Sequence, residues 1–217
     1  MTIKEKIKTL TYLILEPKVL AKLISFRSFG YLLETGWFES FRSGQSVDGE
    51  ITPIPWFTFS AIDFLKERLT KNLNVLEFGS GNSTLFFAER VNKVVSVEHN
   101  EIYFQKILVN KPNNVEIRIV TDSTSEDYLK LISDELRFEI IIVDGLYRNE
   151  CLKNSINYIS ESGVIILDDS ERADYNLGIE FLLMTGFKHL SFSGIAPGIF
   201  FKKRTSIFYK SINCLGI

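Results

Sequence analysis

Six carboxylates stand at or beside the ends of short apolar runs in this 217-residue chain, and a glycine-rich turn follows the first of them. The segment Asn74-Val-Leu-Glu-Phe-Gly-Ser-Gly-Asn-Ser-Thr84 puts Glu77 inside the end of one run, followed by Gly79, Ser80, Gly81 and Ser83. Gly79 suits a tight turn, and Gly81 lets the backbone approach a ligand with no side chain in the way. The next run closes on Glu98 and His99, with Glu98 nineteen residues after Gly79. In strand–turn–helix units that bind a nucleoside, an acid at about 20 residues' spacing receives the ribose hydroxyls. A third run ends in Val120-Thr-Asp122. Two more end in Asp144, with Arg148 four residues on, and in Asp168-Asp169.

Asp144, Asp168 and Asp169 converge if their strands are neighbours. Carboxylates so placed repel unless a proton or a cation intervenes, and Mg²⁺ prefers hard oxygen ligands. The three are therefore candidate ligands for Mg²⁺ or another divalent cation, and Asp144 with Arg148 is the candidate catalytic pair. Readings without a metal stay open. Asp144 then acts as a base or positions a substrate, Asp169-Ser170 caps a helix, and Arg148 neutralises the acids.

The elements that must present these residues follow from periodicity. Val75–Phe78, Val94–Val97, Val115–Val120, Ile140–Val143 and Val164–Leu167 read as buried strands. Helical segments at about 57–69, 84–91, 100–109, 125–136, 148–159 and 174–185 alternate with them, which predicts a parallel sheet covered on both faces. Lys188–Phe192 and Thr205–Tyr209 are separated by a loop too short for a crossover helix, so they form an antiparallel pair. The result is an α/β, Rossmann-like, mostly parallel seven-stranded sheet closed by a C-terminal hairpin. Residues 3–15 and 18–26 read as amphipathic helices whose apolar face packs on the body of the protein rather than on a membrane. A Ser-, Gly- and Pro-rich stretch at 40–55 ends this extension. The division expected is 1–54 for the extension and linker and 55–217 for the main domain.

Composition narrows the function. A net charge of −2 marks no general nucleic-acid binder. The apolar run Leu10–Leu15 is short and ends in Glu16-Pro17-Lys18 without a cleavage site, so neither a signal peptide nor stable membrane insertion is expected. Cys151 and Cys214 form neither a disulfide framework nor a zinc site, which suits a reducing, cytoplasmic setting.

Glu77, Gly79 and Gly81 resemble the acidic-x-Gly-x-Gly-x-Gly signature of class I S-adenosylmethionine-dependent methyltransferases, with Ser83 replacing the third glycine. The resemblance covers about Pro55 to Tyr209. It implies S-adenosylmethionine as cofactor, held by Glu77, Gly79, Ser80, Gly81, Ser83 and Glu98, with His99 and Asp122 beside the adenine. A nicotinamide dinucleotide is the rival, but its fingerprint wants Gly or Ala where Thr84 stands. Asp144 and Asp168-Asp169 resemble the strand-end acids of metal-dependent O-methyltransferases, where an Asn occupies the position of Asp169. Asp144-Gly-x-x-Arg148 and Thr205-Ser-Ile-Phe-Tyr resemble methyltransferase-like proteins associated with bacterial surface polysaccharides. The expected partner is a small-molecule or saccharide hydroxyl, with Trp37 and Trp56 as candidate pocket walls and a homodimer left open. The alternatives are a metal-independent N- or O-methyltransferase and a non-catalytic cofactor-binding protein.

Overall fold

A computed structural model describes residues 2–120, 124–130 and 136–217. Asp122 lies outside the described residues, as does the stretch 131–135 at the end of the helix expected over 125–136. Seven strands form one sheet: β1 (Asn74–Phe78), β2 (Lys93–Glu98), β3 (Val115–Ile119), β4 (Phe138–Val143), β5 (Ile159–Leu167), β6 (Lys188–Gly194) and β7 (Lys203–Tyr209). Their order is β3-β2-β1-β4-β5-β7-β6. The first five are parallel, and β7 runs antiparallel to both β5 and β6. The order reverses between β1 and β4, and a crevice for ligands opens at the carboxyl ends of strands at such a reversal.

Alternation along the strands explains why helices cover both faces. Val75, Val94, Ile140, Ile142, Val164, Ile166 and Ile207 pack into one core with α5 (Phe59–Lys66) and α6 (Asn82–Arg90). Leu76, Val95, Ile141, Ile165 and Phe208 belong to the other. That second core is closed by Tyr128 of α8 (Ser125–Lys130), Cys151 and Leu152 of α9 (Arg148–Ser155), and Leu182 of α10 (Asn176–Met184). Side chains at successive positions point to opposite faces, so each central strand must be apolar at nearly every residue. The remaining helix of the sheet region is α7 (Glu101–Val109).

The N-terminal part contains α1 (Ile3–Leu15), α2 (Pro17–Ser25), α3 (Tyr31–Glu34) and α4 (Trp37–Ser43). Thr2 and Glu5 cap α1 reciprocally, and Pro17 opens α2. No helix among the described residues is long and apolar enough to cross a membrane. The stretch after α4 is well fixed. Asn82 Nδ2 donates to the Ser46 carbonyl at 2.7 Å, Val47 bridges Pro53, and Ile54 is buried in the core.

The expected packing of α1 and α2 is not found. Neither helix buries a single residue, and Ile3, Ile7, Leu10 and Ile14 are all at least 60% exposed. The periodicity made the helices; among the described residues nothing buries their apolar face. Their amides are accordingly expected to exchange hydrogen well ahead of those of β1 and β4 in the isolated protein. Mass spectrometry of deuterium uptake checks this, and slow exchange throughout α1 and α2 would mean that their apolar face is covered.

Candidate active site

The turn after β1 is built from buried hydroxyls around one acid. Glu77 lies fully buried beneath the turn and accepts from Thr84 Oγ1 at 2.5 Å, from Ser96 Oγ at 3.2 Å and from Ser83 Oγ. Burial pushes its pKa up to about 8, against the pull of these hydroxyls and with help from the charge of Asp144. Glu77 is thus fully enclosed beneath the turn and ties β1, β2 and the start of α6 together through these hydroxyls. The Ser83 that departs from the glycine signature, and the Thr84 beside it, are the residues that satisfy this carboxylate.

Gly79 takes φ +99°, where a Cβ would stand 2.9 Å from the Gly145 nitrogen. The ends of β1 and β4 can approach only because both residues lack a side chain. At Gly81 a Cβ would meet nothing within 4 Å, so the reason for glycine there is not protein packing.

Glu98 ties the turn to β2. One oxygen accepts from Ser80 N at 2.6 Å and Ser80 Oγ at 2.7 Å; the other accepts from His99 N at 2.9 Å and Asn100 N at 2.7 Å. His99 Nδ1 lies 3.1 Å from the same carboxylate. Gly79, Ser80, Gly81, Ser83, Glu98 and His99 all line one cavity of about 250 Å³ at the β1/β4 reversal. Asn82 and Ser83 bring the N-terminal turn of α6 to it, where the helix dipole favours an anionic group.

A second cavity, of about 390 Å³, is lined by Phe41, Trp56, Asp144, Asp168, Asp169 and Lys203 among others. Gly44, Trp56 and Asp144 border both cavities. Trp56 is thus placed as a pocket wall. Trp37 is not: it stacks on Phe41 at 5.3 Å and donates from Nε1 to the Ile199 carbonyl at 2.9 Å.

Asp144, Asp168 and Asp169 do converge, with one oxygen of each within 4.8 Å of the others. Asp169 sits at φ +53°, a left-handed conformation that Asp and Asn tolerate better than other side-chain residues. Between the acids stands Lys203, which no local motif marks. Lys203 Nζ lies 2.5 Å from Asp168 Oδ2 and 2.9 Å from Asp169 Oδ1, and the side chain is buried. Thr205 Oγ1 donates to Asp168 Oδ1 at 2.9 Å. Alternation on β7 was the available signal: Lys203, Thr205 and Ile207 share one side of the strand, and Ile207 belongs to the core.

Arg148 holds the strand ends together. It donates to Asp144 Oδ1 at 2.9 Å, Asp169 Oδ2 at 3.3 Å and the carbonyls of Asp144, Gly145 and Asp168 at 2.7–3.1 Å. All these contacts are to the two strand ends, which suits a positioning role. Arg172 adds a contact of 3.0 Å to Asp169. Burial raises the pKa of Asp144 and Asp168, partly opposed by these cations, whereas Asp169 is held below the usual carboxylate range by Lys203, Arg148 and Arg172 despite its burial. Burial also disfavours the Lys203 ammonium, but the three aspartates more than offset this and hold its pKa above the ordinary value.

The donor set does not fit a resident divalent ion. Five of the six carboxylate oxygens already face a cation or a hydroxyl; among the described residues, Asp144 Oδ2 alone has no such donor. An ion would have to displace those donors from a buried site.

No family model matches the chain, and no curated protein does. Solved structures do. A protein assigned as a caffeoyl-CoA O-methyltransferase from Staphylococcus aureus superposes with a TM-score of 0.56 at 14% identity, over 91% of this chain and 100% of that one. One assigned as an O-methyltransferase from Klebsiella pneumoniae gives 0.52 at 17%, over 90% and 96%. A methyltransferase from Pyrococcus furiosus gives 0.52 at 21%, over 70% and 82%. The chain has a methyltransferase fold. Identities this low carry the fold and not the chemistry, which must be argued from the site.

The buried acid under the turn gives that site a pH signature. The folded protein keeps the Glu77 proton that the unfolded chain releases, so stability should fall as pH rises from about 4.5 to 8 and level off above. Glu77→Gln should flatten this fall, by an amount on the order of a few kcal/mol or less. Urea denaturation at the two ends of the window measures it; an unchanged pH profile in the variant would mean that Glu77 is ionised in the fold.

Proposed function

We propose that the chain is an S-adenosylmethionine-dependent methyltransferase acting on a hydroxyl of a small molecule or sugar. The observation that carries the reading is the position of Asp144. It borders both the crevice beside the glycine turn and the pocket walled by Trp56 and Phe41. The residues of the crevice fit the cofactor: glycine where a side chain would intrude, an acid at the β2 end, and a helix N-terminus suited to a carboxylate.

S-adenosylmethionine supplies a methyl group made electrophilic by its sulfonium. The chain's own part is to align an acceptor oxygen, exclude water and remove a proton. Asp144 Oδ2 is free to take the hydroxyl proton, while Oδ1 is fixed by Arg148. Burial raises the carboxyl's pKa, which makes it a stronger base. Aromatic walls and acidic rims together suit the faces and hydroxyls of a sugar ring. We assign residues 55–217 to this chemistry and place it in the cytoplasm, with Asp122 retained as a candidate adenine contact.

Asp144→Asn should lower kcat by about 10²–10⁴-fold, the usual range for a lost general base. Binding of S-adenosylhomocysteine should change little, because the turn and Glu98 stay intact. Transfer of labelled methyl to a panel of sugars and catechols, beside calorimetry of the variant, checks both halves. Full turnover by Asp144→Asn would remove it as the base.

A further inference from the structure

We infer that Lys203 is a tethered replacement for a divalent cation, so that the pocket works without metal. The inference rests on the proposed methyltransferase reading for its chemistry, but not for its test. The three aspartates at one sheet edge already face three cations, Lys203, Arg148 and Arg172. A divalent ion would therefore bring excess positive charge into a buried site. Geometry agrees with charge: the ammonium lies 2.5 and 2.9 Å from oxygens of two different aspartates.

Lys203 also has a donor to spare. An ammonium carries three N–H groups, and two suffice for the ion pairs with Asp168 and Asp169. The side chain lines the pocket that holds Asp144, so the third can reach an acceptor oxygen there. The acceptor hydroxyl then gives its proton to Asp144 Oδ2, and the charge growing on its oxygen is met by the Lys203 ammonium. A bound metal ion does the same for a coordinated hydroxyl, but the lysine is held by its own backbone and needs no loading.

The test is Mn²⁺ binding, read by electron paramagnetic resonance of the full chain. Wild type should show no saturable site up to about 1 mM, a concentration at which an open carboxylate cluster binds divalent ions. Lys203→Met should gain Mn²⁺ affinity by at least about tenfold, and Mn²⁺ should raise its melting temperature. If that variant does not fold, Lys203→Gln and the wild-type titration still decide. Saturable wild-type binding that Asp168→Asn abolishes would overturn the inference, as would a folded Lys203 variant with no gain. Failure to bind S-adenosylhomocysteine would count against the proposed function and leave this result standing.

A separate observation concerns α1 and α2. We infer that their apolar face docks on an anionic lipid surface. Ile3, Ile7, Leu10 and Ile14 form one exposed stripe, continued by Leu23 and Ile24. The first thirty residues contain six basic and two acidic side chains, a net +4 in a chain whose total is −2. Pairing this face with the same face of a second copy would set like charges together, whereas an anionic bilayer complements both the stripe and its charge. The full chain should co-sediment with phosphatidylcholine vesicles containing about 30% phosphatidylserine and not with pure phosphatidylcholine. Binding should drop about tenfold at high salt, and Ile7→Glu/Leu10→Glu should abolish it while S-adenosylhomocysteine binding persists. Absence of binding to the anionic vesicles would overturn it. So would a wild-type dimer in sedimentation velocity that the double variant makes monomeric.

Discussion

Three aspartates can share the edge of one sheet only if positive charge is built in around them. Asp144 leaves β4, and Asp168 and Asp169 leave the neighbouring β5, so the parallel pairing that makes the sheet also forces their carboxylates together. Arg148 clamps the two strand ends through side chains and carbonyls, and Lys203 reaches in from the antiparallel β7. The placement of β7 beside β5 is therefore as much a matter of the site as of the fold. Without it the inner acids would lie buried and uncompensated, which costs far more than an exposed pair would return.

The same logic operates one strand away. Glu77 is buried under the glycine turn and kept there by three hydroxyls, while Glu98 anchors the turn from β2. Two acids with similar sequence settings thus have different work. One lies inside and shapes the loop; the other lines the cavity. Asp144 completes the arrangement because the loop behind it, held to Gly79 by contact with Gly145, puts it where the two cavities meet.

Much of this was legible in the sequence. The central parallel strands were visible because they are apolar on both faces, edge strand β3 because Val115, Ile117 and Ile119 alternate with charged residues, and the hairpin because no crossover helix fits between its strands. The convergence of Asp144, Asp168 and Asp169 followed from strand adjacency. Lys203 was hidden because its partners lie 34 or more residues away across an antiparallel pairing, and no local pattern reports that register. The roles of Glu77 and Arg148 depended on burial depth, which apolar runs alone do not reveal. Periodicity marked α1 and α2 as amphipathic but could not say what their apolar face would meet.

We propose that the crevice between β1 and β4 holds S-adenosylmethionine. Isothermal titration of the purified chain with S-adenosylhomocysteine, and separately with NAD, tests it most directly. The first should bind saturably and the second not at all. Glu98→Ala should weaken the first by roughly 10- to 150-fold, as for lost hydrogen bonds to a charged group. No heat with S-adenosylhomocysteine, or tighter binding of NAD, would contradict it.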